Sequence, residues 1–179
     1  MKRIILLFLF MPSFMFIRLV TGQDAEIVKS VDLEKYIGFW YEIASFPASF
    51  QKGCRCSTVE YQMVPGKKYI RVINQCLILT DRGSKMSIIR GKAFPVKESG
   101  NTRLKVQFTW PFRSDYRIII LADDYRYVVV DHPSRNDLWI LSREPYMTSD
   151  TYNRLVETIK AKGYNSSLLQ KTEQNCEDR

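Results

Sequence analysis

The chain has 179 residues, 45% of them hydrophobic and 13% aromatic, which is enough for one domain with a sizeable core. Its formal charge of +8 is spread over Lys and Arg residues scattered among acids and apolar side chains. Without a long basic block, that charge argues against a nucleic-acid partner and is compatible with no more than weak attraction to acidic lipid headgroups.

Lys2-Arg3, the apolar run from Ile4 to Ile17 and the small-residue site Val20-Thr21-Gly22 read as a secretory signal peptide over residues 1–22. The run is short for a membrane span, and Pro12 and Arg18 weaken an uncleaved anchor. Cleavage after Gly22 removes three cations and no acid, so the mature domain, residues 23–179, carries a formal charge of +5. A secreted, extracellular protein is expected.

Val31-Asp32-Leu33-Glu34-Lys35-Tyr36 reads as a short helical turn capped by Asp32. Gly38 can then take backbone angles closed to other residues and bend the chain just before Trp40 turns its ring inward. From there the pattern is β. Runs of Val, Ile, Tyr and Phe separated by Pro, Gly, Asn and Asp predict eight strands: 38–46, 56–64, 68–77, 85–93, 102–109, 115–122, 126–131 and 137–143. Pro65-Gly66, Asp81-Arg82-Gly83 and Ser99-Gly100-Asn101 supply turns. The Pro47–Gly53 connection is longer and could form a lid. If Pro65-Gly66 pairs Val64 with Lys67, Cys76 falls beside residue 55.

Eight short antiparallel strands in chain order have exposed edges unless the sheet closes, and a closed sheet of that size has room for one small ligand. An eight-stranded up-and-down antiparallel barrel is therefore expected over about residues 38–143. Alternation along each strand nominates Val59, Tyr61, Phe108, Trp110, Tyr116, Ile118, Tyr127 and Trp139 as inward-facing, ligand-binding candidates. By the same parity Glu42 lies on the face of Trp40, where it needs a polar partner unless a bulge turns it out.

Ile118–Leu121 and Val128–Val130 are apolar on both faces and need cover outside as well as inside. Tyr152, Leu155, Val156 and Ile159 supply it as the apolar stripe of a helix over about residues 149–162, capped near Thr148-Ser149-Asp150 and ended by Gly163. A tail follows to residue 179, with Asn165-Ser166-Ser167 as a glycosylation sequon.

The four cysteines, Cys54, Cys56, Cys76 and Cys176, predict two disulfides in an exported protein, with three connectivities open. Cys54-Arg55-Cys56 has the wrong spacing for a zinc site, and the lone His132 sits in a loop, where a solvated side chain is a better reading than a haem or metal ligand. No cofactor is expected.

Gly38-x-Trp40, Asp124-Tyr125 and Arg143 together resemble the three motif blocks of the lipocalins, with Asp123 standing where Thr is usual. The likeness spans about residues 32–176 and is nearest the branch of apolipoprotein D and its bacterial and plant relatives, through Lys35–Ala44, Phe50-Gln51-Lys52-Gly53, Leu138–Arg143 and Thr172-Glu173-Gln174. The resemblance implies that Arg143 lies over Trp40 at the closed end, and that Cys56 or Cys54 pairs with Cys176. With the hairpin register, Cys54–Cys76 and Cys56–Cys176 are preferred, the swapped pairing following closely.

The resemblance also implies a monomeric carrier of a small hydrophobic molecule such as a fatty acid, sterol, retinoid or tetrapyrrole. Some lipocalins resemble isomerases with a cavity thiol, so an enzyme using Cys54, Cys56 or Cys76 is the alternative. An even cysteine count in an oxidising compartment leaves no thiol for that chemistry, and binding without catalysis is expected.

Overall fold

The computed structural model describes residues 28–81 and 83–176; the expected signal peptide lies outside them. A short helix α1 (Leu33–Tyr36), capped by the Asp32 carboxylate on the Glu34 amide, leads into β1 (Gly38–Ser45). There follow β2 (Cys54–Met63), β3 (Ile70–Thr80), β4 (Gly83–Pro95), β5 (Arg103–Gln107), β6 (Ser114–Leu121), β7 (Tyr127–Asp131) and β8 (Leu138–Ser142). Each strand pairs antiparallel with the next, and β1 pairs with both β8 and β2, closing the sheet into an up-and-down barrel. After the barrel come α2 (Ser149–Ala161), capped by Thr148, and a two-residue strand β9 (Gln170–Lys171) on β1.

The β2–β3 hairpin departs from the expected register. Lys67 donates to the Val64 carbonyl in a turn, but the strands end at Met63 and Ile70, which pair. The connection is six residues long, so each partner moves by two positions and Val59 faces Asn74. β5 stops at Gln107, two residues short of expectation, and β4 runs longer at both ends.

Two apolar layers hold the fold. Inside the barrel, Trp40, Tyr36, Tyr61, Ile70, Leu104, Ile118, Val128 and Val130 pack together. Outside, Leu155 and Ile159 of α2 pack on Ile43, Ala44, Ile119, Val129 and Ile140. Bulges make the second layer possible. A register shift in β1 between Glu42 and Ala44, and another in β6 between Ile118 and Ile120, each place two consecutive residues on the helix side. Beneath α2, the fully buried Asp131 accepts bonds from Arg117 at 2.9 and 2.5 Å and from the Tyr164 hydroxyl at 2.6 Å.

β1 and β2 pair only from Gly38–Tyr61 to Tyr41–Thr58 and then part. Residues 172–176 fill the gap. Thr172 N–H donates to Ile43, Cys56 N–H donates to Glu173, and the Gln174 amide bridges the carbonyls of Glu42 and Ser57 at 2.7 and 2.9 Å. Arg55 pairs with Glu173 on the outer side. Cys56–Cys176 fastens this tail, and Cys54–Cys76 ties β2 to β3 with Cα atoms 5.4 Å apart.

Candidate functional site

The closed end of the barrel is a stack built on backbone carbonyls. Gly38 sits at φ +100°, and a Cβ there would lie 3.2 Å from an Arg143 nitrogen, so glycine meets both a conformational and a steric need. The Arg143 guanidinium lies 3.7 Å from the Trp40 ring centroid. It also donates to the carbonyls of Lys35, Tyr36, Ile37 and Phe39 at 2.7–3.1 Å. Trp40 Nε1 donates to Tyr36 at 2.9 Å, and the ring is fully buried. Tyr125, at φ +59°, accepts the Asp32 N–H on its hydroxyl, while the Asp124 carboxylate holds the Arg126 amide. These residues seal the floor from below.

Above the plug, three phenols meet. Tyr116 lies 2.7 Å from Tyr36 and 2.9 Å from Tyr61, oxygen to oxygen. Burial pushes the Tyr61 hydroxyl up to about 12, and burial with the neighbouring phenols raises Tyr36 and Tyr116 well above the ordinary phenolic range. The floor is therefore polar but uncharged at neutral pH.

The space above is a cavity of about 490 Å³ open at the opposite end, a size that suits a small organic ligand. Its wall divides in two. On the β5–β8 side Val106, Phe108, Val130, Trp139 and Leu141 are joined by Tyr116, with Ser114, Asp115, His132 and Asp137 towards the rim. On β1–β4, Val59, Val72 and Ile89 alternate with a polar arc of Glu42, Ser57, Asn74 and Ser87. The buried Glu42 carboxylate accepts from Ser45 at 2.9 Å, Gln51 at 2.8 Å and Thr172 at 2.7 Å. Gln51 in turn accepts from Trp139 Nε1 at 2.9 Å, so the loop carrying Phe50 and Gln51 is fixed onto the cavity wall. At the rim, the Lys105 ammonium bonded to Asp115 at 2.7 Å holds that carboxyl below its usual range.

The family model for the lipocalin-like domain matches residues 31–174. This chain is a lipocalin. It is 35% identical over 161 residues to temperature-induced lipocalin-1 of Arabidopsis thaliana, covering 86% of this chain and 84% of that one. It is 31% identical over 161 residues to apolipoprotein D of Mus musculus, covering 85% and 82%. The solved structure of insecticyanin from the tobacco hornworm Manduca sexta superposes with a TM-score of 0.64 at 18% identity over 84% of each chain, a match of fold.

Of the residues nominated from this lipocalin's sequence, Val59, Tyr61, Phe108, Tyr116 and Trp139 line the cavity. Ile118 faces inward but is fully buried in the packed core and does not line it. Two nominations are corrected. Trp110 is 83% exposed, because β5 ends at Gln107 and the alternation ends with it; Pro111, which has no N–H, follows. Tyr127 faces outward into the layer under α2, because the inward phase of β7 is set by Val128 and Val130. Sequence reasoning missed Ser57, Asn74 and Ser87, since a polar residue in a strand reads as solvent-facing. The phase of Val72, Asn74 and Cys76 against Val59 was the signal available. His132 does reach the rim, with Nδ1 2.8 Å from the Ser134 hydroxyl and 3.1 Å from the Ser134 N–H.

Proposed function

We propose that this lipocalin is a secreted monomer that binds and carries one small lipophilic molecule, withdrawing it from water without transforming it. The open cavity, lined largely by apolar and aromatic side chains above a sealed floor, carries this reading. Against the isomerase alternative stands the cysteine chemistry: Cys54 and Cys76 reach the cavity but are bonded to each other, Cys56 is bonded to Cys176, and no free thiol remains among the described residues. The disulfides accord with export. Asn165 is exposed, and its carbonyl is taken by Ser167, leaving the amide nitrogen free to accept a glycan in a eukaryotic host. Phe50, Trp110 and Phe112 are exposed in the connections at the open end and offer weak contact with a membrane surface from which ligand enters.

The test is native mass spectrometry of the protein secreted from its own host, followed by solvent extraction. A single bound lipophile at one per chain is expected. Protein that carries nothing and fails to take up a neutral apolar fluorophore such as N-phenyl-1-naphthylamine overturns the proposal.

A further inference from the structure

The polar arc of the cavity has a definite sign. Trp40, Val59, Asn74 and Ile89 face one another in successive strands and form one inward row. One step towards the mouth, Glu42 and Ser57 flank the gap bridged by Gln174, and Cys76 pairs with Ser87. Ser57 is only 4% exposed and its hydroxyl has no hydrogen-bond partner; the Asn74 side-chain oxygen is buried without one as well. Two unpartnered polar atoms in the lining of a ligand-sized space point to a group that the ligand supplies.

Among the described residues no Lys or Arg lines the cavity, whereas three carboxylates do, Glu42 deep in the wall and Asp115 and Asp137 at the rim. Among the described residues, the one positive side chain bonded to any of them is Lys105, on Asp115. The floor phenols are neutral. A carboxylate ligand would be taken out of water next to Glu42 with no cation among the described lining residues to receive it, or would have to bind as its scarce protonated form at neutral pH.

We propose that the cavity selects lipophiles whose polar end is a hydrogen-bond donor without negative charge, an alcohol or an amine, and discriminates against carboxylates. Ser57 Oγ and Asn74 Oδ1 receive the donor, and Glu42 sets the sign of the potential they sit in. This rests on the carrier function and narrows it.

The test uses the folded, disulfide-bonded protein with N-phenyl-1-naphthylamine as reporter. Dodecan-1-ol, dodecylamine and dodecanoate, matched in chain length, compete at pH 7.4 below their aggregation concentrations. The alcohol, the amine or both displace the probe at concentrations about tenfold or more below the carboxylate. In Asn74→Leu the advantage of those two over dodecanoate shrinks several-fold, each competitor being scaled to the probe's own affinity for that variant. Equal or tighter binding of dodecanoate by the unaltered protein overturns this inference and leaves the carrier function standing. If the probe does not bind at all, the carrier function falls and this goes with it.

Discussion

Replacing Arg143 by Ala tests whether the plug at the closed end holds the barrel together. The side chain makes one cation–π contact at 3.7 Å and spans four carbonyls of the segment from Lys35 to Phe39. The ring contact contributes about 1–2 kcal/mol when shielded from water. Each charge-assisted bond contributes about 1.5–3 kcal/mol in isolation. The four share one half-buried guanidinium, and the Lys35 carbonyl is exposed, so they do not add. A net loss of about 3–4 kcal/mol is expected, or roughly 6–15 °C in Tm for a domain of this size. Arg143→Lys keeps the charge but loses the planar fork and should recover no more than half. Guanidinium chloride titrations with both disulfides intact, followed by tryptophan fluorescence and far-UV circular dichroism, measure both variants. A loss below about 1 kcal/mol for Ala, or Lys matching the unaltered protein, would refute the assignment of the stack as the structural base.

Alkali should unfold the protein through its buried phenols. Tyr61 and Tyr164 are pushed up to about 12, with Tyr36 and Tyr116 also raised, so the folded state holds these protons more tightly than the unfolded chain. Their stabilisation is complete below the unfolded value near 10 and is lost as pH rises from there through about 12. Phenolate absorbance from these four should appear together with loss of near-UV circular dichroism; titration near pH 10 with the fold intact counts against the assignment. Of the two disulfides, Cys56–Cys176 closes a separation of 120 residues and Cys54–Cys76 one of 22. Double serine replacement of the first pair should therefore cost about 5 kcal/mol and of the second about 3 kcal/mol, read by urea denaturation; the reverse order refutes the loop-entropy account. Trp139→Ala should weaken N-phenyl-1-naphthylamine binding about tenfold, whereas Trp110→Ala leaves cavity affinity unchanged in detergent-free solution. Equal losses would put Trp110 back in the wall.

Much of this architecture is legible from residue pattern because the strands obey a period of two and the turns announce themselves. Val59, Tyr61, Tyr116 and Trp139 follow from that period, and Gly38 from the bend the chain makes before Trp40; its close approach to Arg143 shows only in the structure. The failures have physical causes. Tyr127 was assigned to the wrong face because Val128–Val130 is apolar on both, so composition there cannot define the phase. Trp110 continued an alternation past the point where the strand stopped. The bulges at Ile43 and Ile119 place adjacent apolar residues on one side, which no strict alternation anticipates. Glu42 was expected to need a partner if it faced inward; it does, and two of its three donors, Gln51 and Thr172, come from segments whose approach is set by tertiary structure.

The slot that Gln174 spans gives the molecule an order of assembly. A chain that has emerged only as far as Ser142 possesses every barrel strand, yet Glu42 still lacks Thr172 and the side between β1 and β2 stands open to solvent. The flank closes only when residues 172–176 are in place, and because the same segment carries Cys176, its removal should open the side of the barrel and lower its stability together.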